Sequence, residues 1–66
     1  MGTHGVKVKT NDHGRARWLT PDGGLTSKRI HAALADEERA EMFAKDIAEN
    51  NKPLVEWARA EPVMGA

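Results

Sequence analysis

Few side chains in this 66-residue chain could do chemistry. There is no cysteine, which excludes disulfides, thiolate metal sites and thiol nucleophiles. The histidines stand at His4, His13 and His31, far apart and without carboxylates at ligand spacing. A zinc site needs ligands that converge, so these read as three independent side chains, and neither a metal nor another cofactor is expected. One local arrangement differs. Loss of Met1 would leave Gly2-Thr3-His4, whose amine, two amide nitrogens and imidazole suit square-planar Cu(II) or Ni(II). A metal-binding peptide module is therefore the third-ranked function. Ser27 is the single serine and lies outside any Gly-x-Ser-x-Gly context. Asp36, Glu37, Glu38 and Glu41 gather closely enough for glycosidase-type acid and base work, but their place at a helix start assigns them to capping and solvation. Gly23-Gly24 lacks both phosphate-loop signatures and reads as a turn. A chain of this length also has little wall for a ligand pocket of roughly 300 Å3. It is expected not to be an enzyme.

Charge is the stronger lead. The net charge is zero, yet residues 1–31 hold six basic side chains against two acidic ones, and residues 32–66 hold four against eight. Lys7, Lys9, Arg15 and Arg17 fall on one face of an expected hairpin, and Lys28 and Arg29 extend that basic face. Such a ribbon can track phosphates; its bland counterpart is a charged strand edge that discourages aggregation. Glu37, Glu38 and Glu41 form an acidic face at the helix start.

Those faces need elements to hold them. Val6-Lys-Val-Lys-Thr10 alternates with the period of a half-buried strand. Asn11-Asp-His-Gly14 reads as a type I turn with Gly14 in a left-handed bulge position. Arg15-Ala-Arg-Trp-Leu-Thr20 is the return strand. Sorting by polarity pairs Val8 with Trp18, Lys9 with Arg17 and Lys7 with Leu19, which leaves Val6, Val8, Ala16 and Trp18 on the core face. Thr20-Pro-Asp-Gly-Gly24 turns the chain, Leu25–Arg29 is loop, and Ile30–Leu34 reads as a short third strand or as irregular chain.

Asp36 is an N-cap, and Glu37 and Glu38 suit the first turn beneath the helix dipole. Ala40, Phe43, Ala44, Ile47 and Ala48 make an amphipathic stripe. Asn50-Asn-Lys-Pro53 ends the helix, and Leu54-Val-Glu-Trp-Ala-Arg59 reads as a last strand. The expected fold is α+β: a small antiparallel sheet on one helix, in the order β-β-(β)-α-β. One domain spans residues 6–59, with flexible tails at 1–5 and 60–66. Ten of the 26 apolar residues are alanine. The expected core of Val8, Trp18, Phe43, Ile47, Val55 and Trp57 is thin for so short a chain.

The run Arg17-Trp-Leu-Thr-Pro-Asp-Gly-Gly-Leu-Thr26, then Ala33-Leu34 and the helix opening Asp36-Glu-Glu-Arg-Ala40, resembles a recurring small module of bacteria and their phages. The likeness covers residues 6–59 and is structural rather than chemical. It implies a hairpin-and-helix fold and no activity, and Ile30–Leu34 lacks the bulky aromatic that the pattern would place there.

The expected function is a small, non-catalytic interaction protein, phage-encoded by that resemblance, that binds and modulates a host protein through a charged surface, as an inhibitor would. The alternative is a nucleic-acid-associated protein using the basic face. Trp18 points into the core in this register, so no aromatic accompanies that face for base stacking. Strand edges also offer pairing to a second copy, as a homodimer. No apolar run approaches the ~20 residues of a membrane span and no signal peptide is visible, so a cytoplasmic location without membrane contact is expected.

Overall fold

The computed structural model describes residues 2–63; Met1 and residues 64–66, part of the expected tails, lie outside the described residues. The elements are β1 (His4–Thr10), β2 (Arg17–Leu19), β3 (Leu25–Thr26), α1 (Glu37–Asn50) and β4 (Val55–Pro62). The strands form one antiparallel sheet in the order β3-β2-β1-β4. The α+β arrangement is thus the one read from the sequence.

α1 forms where its caps require. Asp36 accepts a hydrogen bond from the Arg39 N–H at 3.0 Å, and the Asn51 N–H donates back to the Ile47 carbonyl at 3.2 Å. Its buried face is Ala40 and Ala44, which meet Val6 and Val8 of β1. Alanine on the helix and Ala58 and Ala60 on β4 let α1 sit close to the sheet. The core is accordingly smaller than its expected membership. Phe43 and Trp57 are 46% and 37% exposed, and Ile47 and Val55 only line the core.

Four local expectations are corrected. The hairpin register is one residue away from the polarity-sorted one: Lys7 pairs with Trp18 and Val8 with Arg17. Gly14 does not take the left-handed bulge, since Gly23 alone among the described residues has positive φ, at 91°. The third strand is Leu25–Thr26, read as loop, whereas Arg29–His31 forms a 3-10 turn. The expected tail residues 4, 5, 60, 61 and 62 lie in the sheet, where His4 pairs with Pro62, Gly5 with Glu61 and Val6 with Ala60.

Residues 33–35 act as a wedge. The Ala33 N–H donates to the Leu19 carbonyl at 2.8 Å, and Ala35 bridges His4 with 2.9 Å bonds in both directions. The segment therefore fills the gap where β1 and β2 diverge, satisfying backbone groups that a parting pair of strands would leave bare.

Candidate interaction surface

The register decides what the sheet shows on each face. Directly paired residues share a face, so the face away from α1 carries Gly5, Lys7 and Lys9 of β1, Trp18 of β2, and Trp57, Arg59 and Glu61 of β4. Arg17 pairs with Val8 and lies on the helix side instead. Polarity sorting fails here for two reasons. Arg17 sits near the strand end and escapes the core by its length, its Nη2 donating to the Thr10 hydroxyl at 3.2 Å. Trp18 finds burial on the opposite face, because Gly5 has no side chain. A β-carbon on Gly5 would lie 3.0 Å from Cε3 and 3.1 Å from Cζ3 of the indole. Trp18 is 8% exposed in that slot.

The outer face is therefore both cationic and aromatic. The Lys7 ammonium lies 4.9 Å from the centre of the Trp18 ring, and the Arg59 guanidinium 4.6 Å from that of Trp57. Across the ladder Lys7 faces a like charge, Arg59, and Lys9 faces Trp57. Two of the three cations are paired with carboxylates. Lys9 Nζ is 2.5 Å from Glu56 Oε2, and Arg59 Nε is 3.4 Å from Glu61 Oε2. Glu56 reaches Lys9 because a bulge between the Thr10–Val55 and Lys9–Trp57 pairs leaves it outside the ladder.

The six residues of the expected basic face do not form one patch. Lys7 and Lys9 lie on the outer face, and Arg17 lies on the other. Arg15 is exposed in the β1–β2 connection. Lys28 is exposed at the start of the 3-10 turn. Arg29 lines a shallow groove with Ile30, Leu34 and Val63, beside the Gly5 end of the outer face. The sequence alone places Trp57 in the core, with an interface as the alternative, and misses Arg59 and Glu61. Their signal was the same alternation that marked β1, with Trp57 and Arg59 two apart. Glu37, Glu38 and Glu41 are all exposed on α1, in the layer across the sheet from Lys7 and Lys9. The charge split thus runs between layers as well as along the chain.

The histidines stay apart, and no three His, Asp or Glu side chains among the described residues gather as metal ligands. His4 Nε2 lies 3.6 Å from Glu37 Oε2. The N–H groups of Thr3 and His4 both donate to the Ala35 carbonyl, at 3.0 and 2.9 Å, so an N-terminal copper chelate would have to break the bridge that holds the wedge. Two carboxylates are held below their ordinary value of 3.8. For Asp22 the chief causes are the Thr20 hydroxyl and the Gly24 N–H; for Asp12 the chief cause is the Thr10 side chain.

An apolar cleft of about 230 Å3 lies at the α1 N-terminal end of the sheet, lined by His4, Leu19, Pro21, Leu34 and Phe43 among others. No helix among the described residues is long and apolar enough to cross a membrane. Comparison with models of protein families, with curated proteins and with solved structures finds no match for the chain.

Proposed function

We propose that this chain is a small, non-catalytic protein-binding module that docks through the outer face of its sheet, with Trp57 and Arg59 as the contact centre. The carrying observation is the internal pairing of the cations on that face. Lys9 and Arg59 are matched by Glu56 and Glu61, which leaves Lys7 as the unmatched charge. Affinity for nucleic acid depends on how many phosphates displace counterions, with a salt slope of about 0.9 per contact on a duplex. One unmatched cation supplies roughly one such contact. A mixed-charge face around a partly exposed Trp and an Arg has instead the composition of a protein hot spot. Exposed Ile30 and Leu34, in the groove beside the Gly5 end of that face, add apolar surface that the small core does not use. The resemblance of Arg17–Thr26 to phage modules supports a host protein as the partner, bound in order to modulate it.

One observation favours nucleic acid as the second reading. Trp57, 37% exposed, shares the face of Lys7, Lys9 and Arg59 and supplies an aromatic contact absent from the sequence-level register. Titration with a labelled single-stranded oligonucleotide at varied salt separates the two. The protein-binding reading predicts no saturable binding at physiological salt and a slope near one. Saturable binding with a slope of three or more establishes the second reading.

A further inference from the structure

Among the described residues β4 is an edge strand, paired to β1 on one side and to no strand on the other. The Val63 N–H donates to the Thr3 carbonyl in the same register that pairs Gly5 with Glu61 and Lys7 with Arg59. Antiparallel alternation then aims the backbone groups of Trp57, Arg59 and Glu61 at β1, and those of Ala58 and Ala60 away from it. Proteins usually blunt such edges with prolines or bulges. Here the bulge beside Val55 marks one end of β4 and Pro62 the other. The stretch between, Trp57-Ala-Arg-Ala-Glu61, has no such device.

We propose that Trp57-Ala-Arg59, the start of this stretch, pairs antiparallel with the same three residues of a second copy of the chain, about a two-fold axis at Ala58. In that register Ala58 exchanges N–H···O bonds with Ala58 of the second copy. Arg59 then faces the second copy's Trp57, repeating across the axis the guanidinium–indole pairing that the chain makes within itself at 4.6 Å. An axis at Arg59 would oppose two guanidinium groups. An axis at Ala60 would set Pro62, which has no N–H, against a backbone carbonyl. The order Trp-x-Arg is thus complementary to itself only about Ala58, as an isologous interface requires. Ala60 falls opposite the bulge residue Glu56, so the contact is about three residues a side, well below the size of a stable interface, and the dimer is transient and populates at roughly 1 mM. It engages Trp57 and Arg59 of the outer face from the strand edge, but it does not depend on the outer-face reading, since it needs no partner other than a second copy.

Sedimentation equilibrium of the wild type and of Ala58→Pro, up to about 1 mM, tests it at the concentrations that such an interface requires. The substitution deletes an N–H that points away from β1 and leaves the β1–β4 bonds in place. The apparent mass should rise towards twice the monomer in the wild type and stay monomeric in Ala58→Pro. Hydrogen exchange on the wild type gives the same answer should the variant fail to fold: the Ala58 amide slows as concentration rises, while those of Trp57 and Arg59 do not change. A wild type that stays monomeric, or a dimer whose Ala58 amide exchanges at its dilute rate, overturns the proposal.

Discussion

Replacing Gly5 with alanine tests the hairpin register through the sign of a stability change. Gly5 has no positive φ, so alanine fits its backbone. In an unobstructed strand the substitution stabilises by about 0.5–1 kcal/mol, because the unfolded chain loses freedom. The polarity-sorted register, with Trp18 on the helix side, predicts that gain. The observed register predicts the reverse. The new methyl would meet Cε3 of Trp18 at 3.0 Å and Cγ2 of Val63 at 3.1 Å. The ring cannot simply lift away, since it is 8% exposed with the Lys7 ammonium 4.9 Å from its centre. Overpacking of this kind costs about 1–3 kcal/mol. Set against the entropic gain, the net is a loss of roughly 0–2.5 kcal/mol, with about 4–8 °C in Tm for each kcal/mol in a domain of this size. Thermal unfolding followed by far-UV circular dichroism measures it, and the near-UV Trp signal should shift with it. A Tm that rises, with the indole signal unchanged, refutes the placement of Trp18 over Gly5.

Four further outcomes follow. Asp36→Ala removes the acceptor of the Arg39 N–H and should cost about 1 kcal/mol, whereas Asp36→Asn keeps most of the cap; urea unfolding distinguishes them. Arg17→Met should be neutral or mildly stabilising, because the Arg17 Nε is buried without a hydrogen-bond partner; a loss above about 1 kcal/mol contradicts the helix-side placement. Asp22 has a folded pKa below its ordinary 3.8, so its contribution is present above that value and fades as pH falls through the lowered one. A Tm series through the acid range should therefore slope less in Asp22→Asn than in the wild type. Trp57→Ala should lower Tm, since most of the ring is covered, and should also remove the contact centre proposed for the partner, which binding by the folded variant checks.

The helix was legible in the sequence because its signals are local. Asp36 supplies the cap, the Ala40–Ala48 stripe supplies the face, and the Asn50–Pro53 run supplies the stop, all within one continuous segment. The hairpin was legible as an element but not in its register. Polarity sorting treats Arg17 as wholly outward and Trp18 as wholly inward. It misses both the reach of a long side chain and the slot made by a glycine in the neighbouring strand. Gly5 was the available cue, since a glycine within alternating residues marks a close approach; read as frayed chain, it gave none. β3 is two residues long, too short to carry a period. The wedge at Ala33 and Ala35 depends on β1 and β2 parting, which no local pattern encodes. The candidate surface was half legible. Lys7 and Lys9 were visible as a row, but the partners that neutralise and flank them, Glu56, Trp57, Arg59 and Glu61, come from some 50 residues away in sequence, through β1–β4 pairing.

The central claim is that the outer face binds a protein through Trp57 and Arg59. Its most direct test is paired affinity capture from bacterial lysate, with tagged wild type and Trp57→Ala, after nuclease treatment and at moderate salt. The account predicts one protein retained in near-stoichiometric amount by the wild type and lost by a folded Trp57→Ala. Equal retention by both forms, or bound nucleic acid that nuclease and salt remove together, contradicts it.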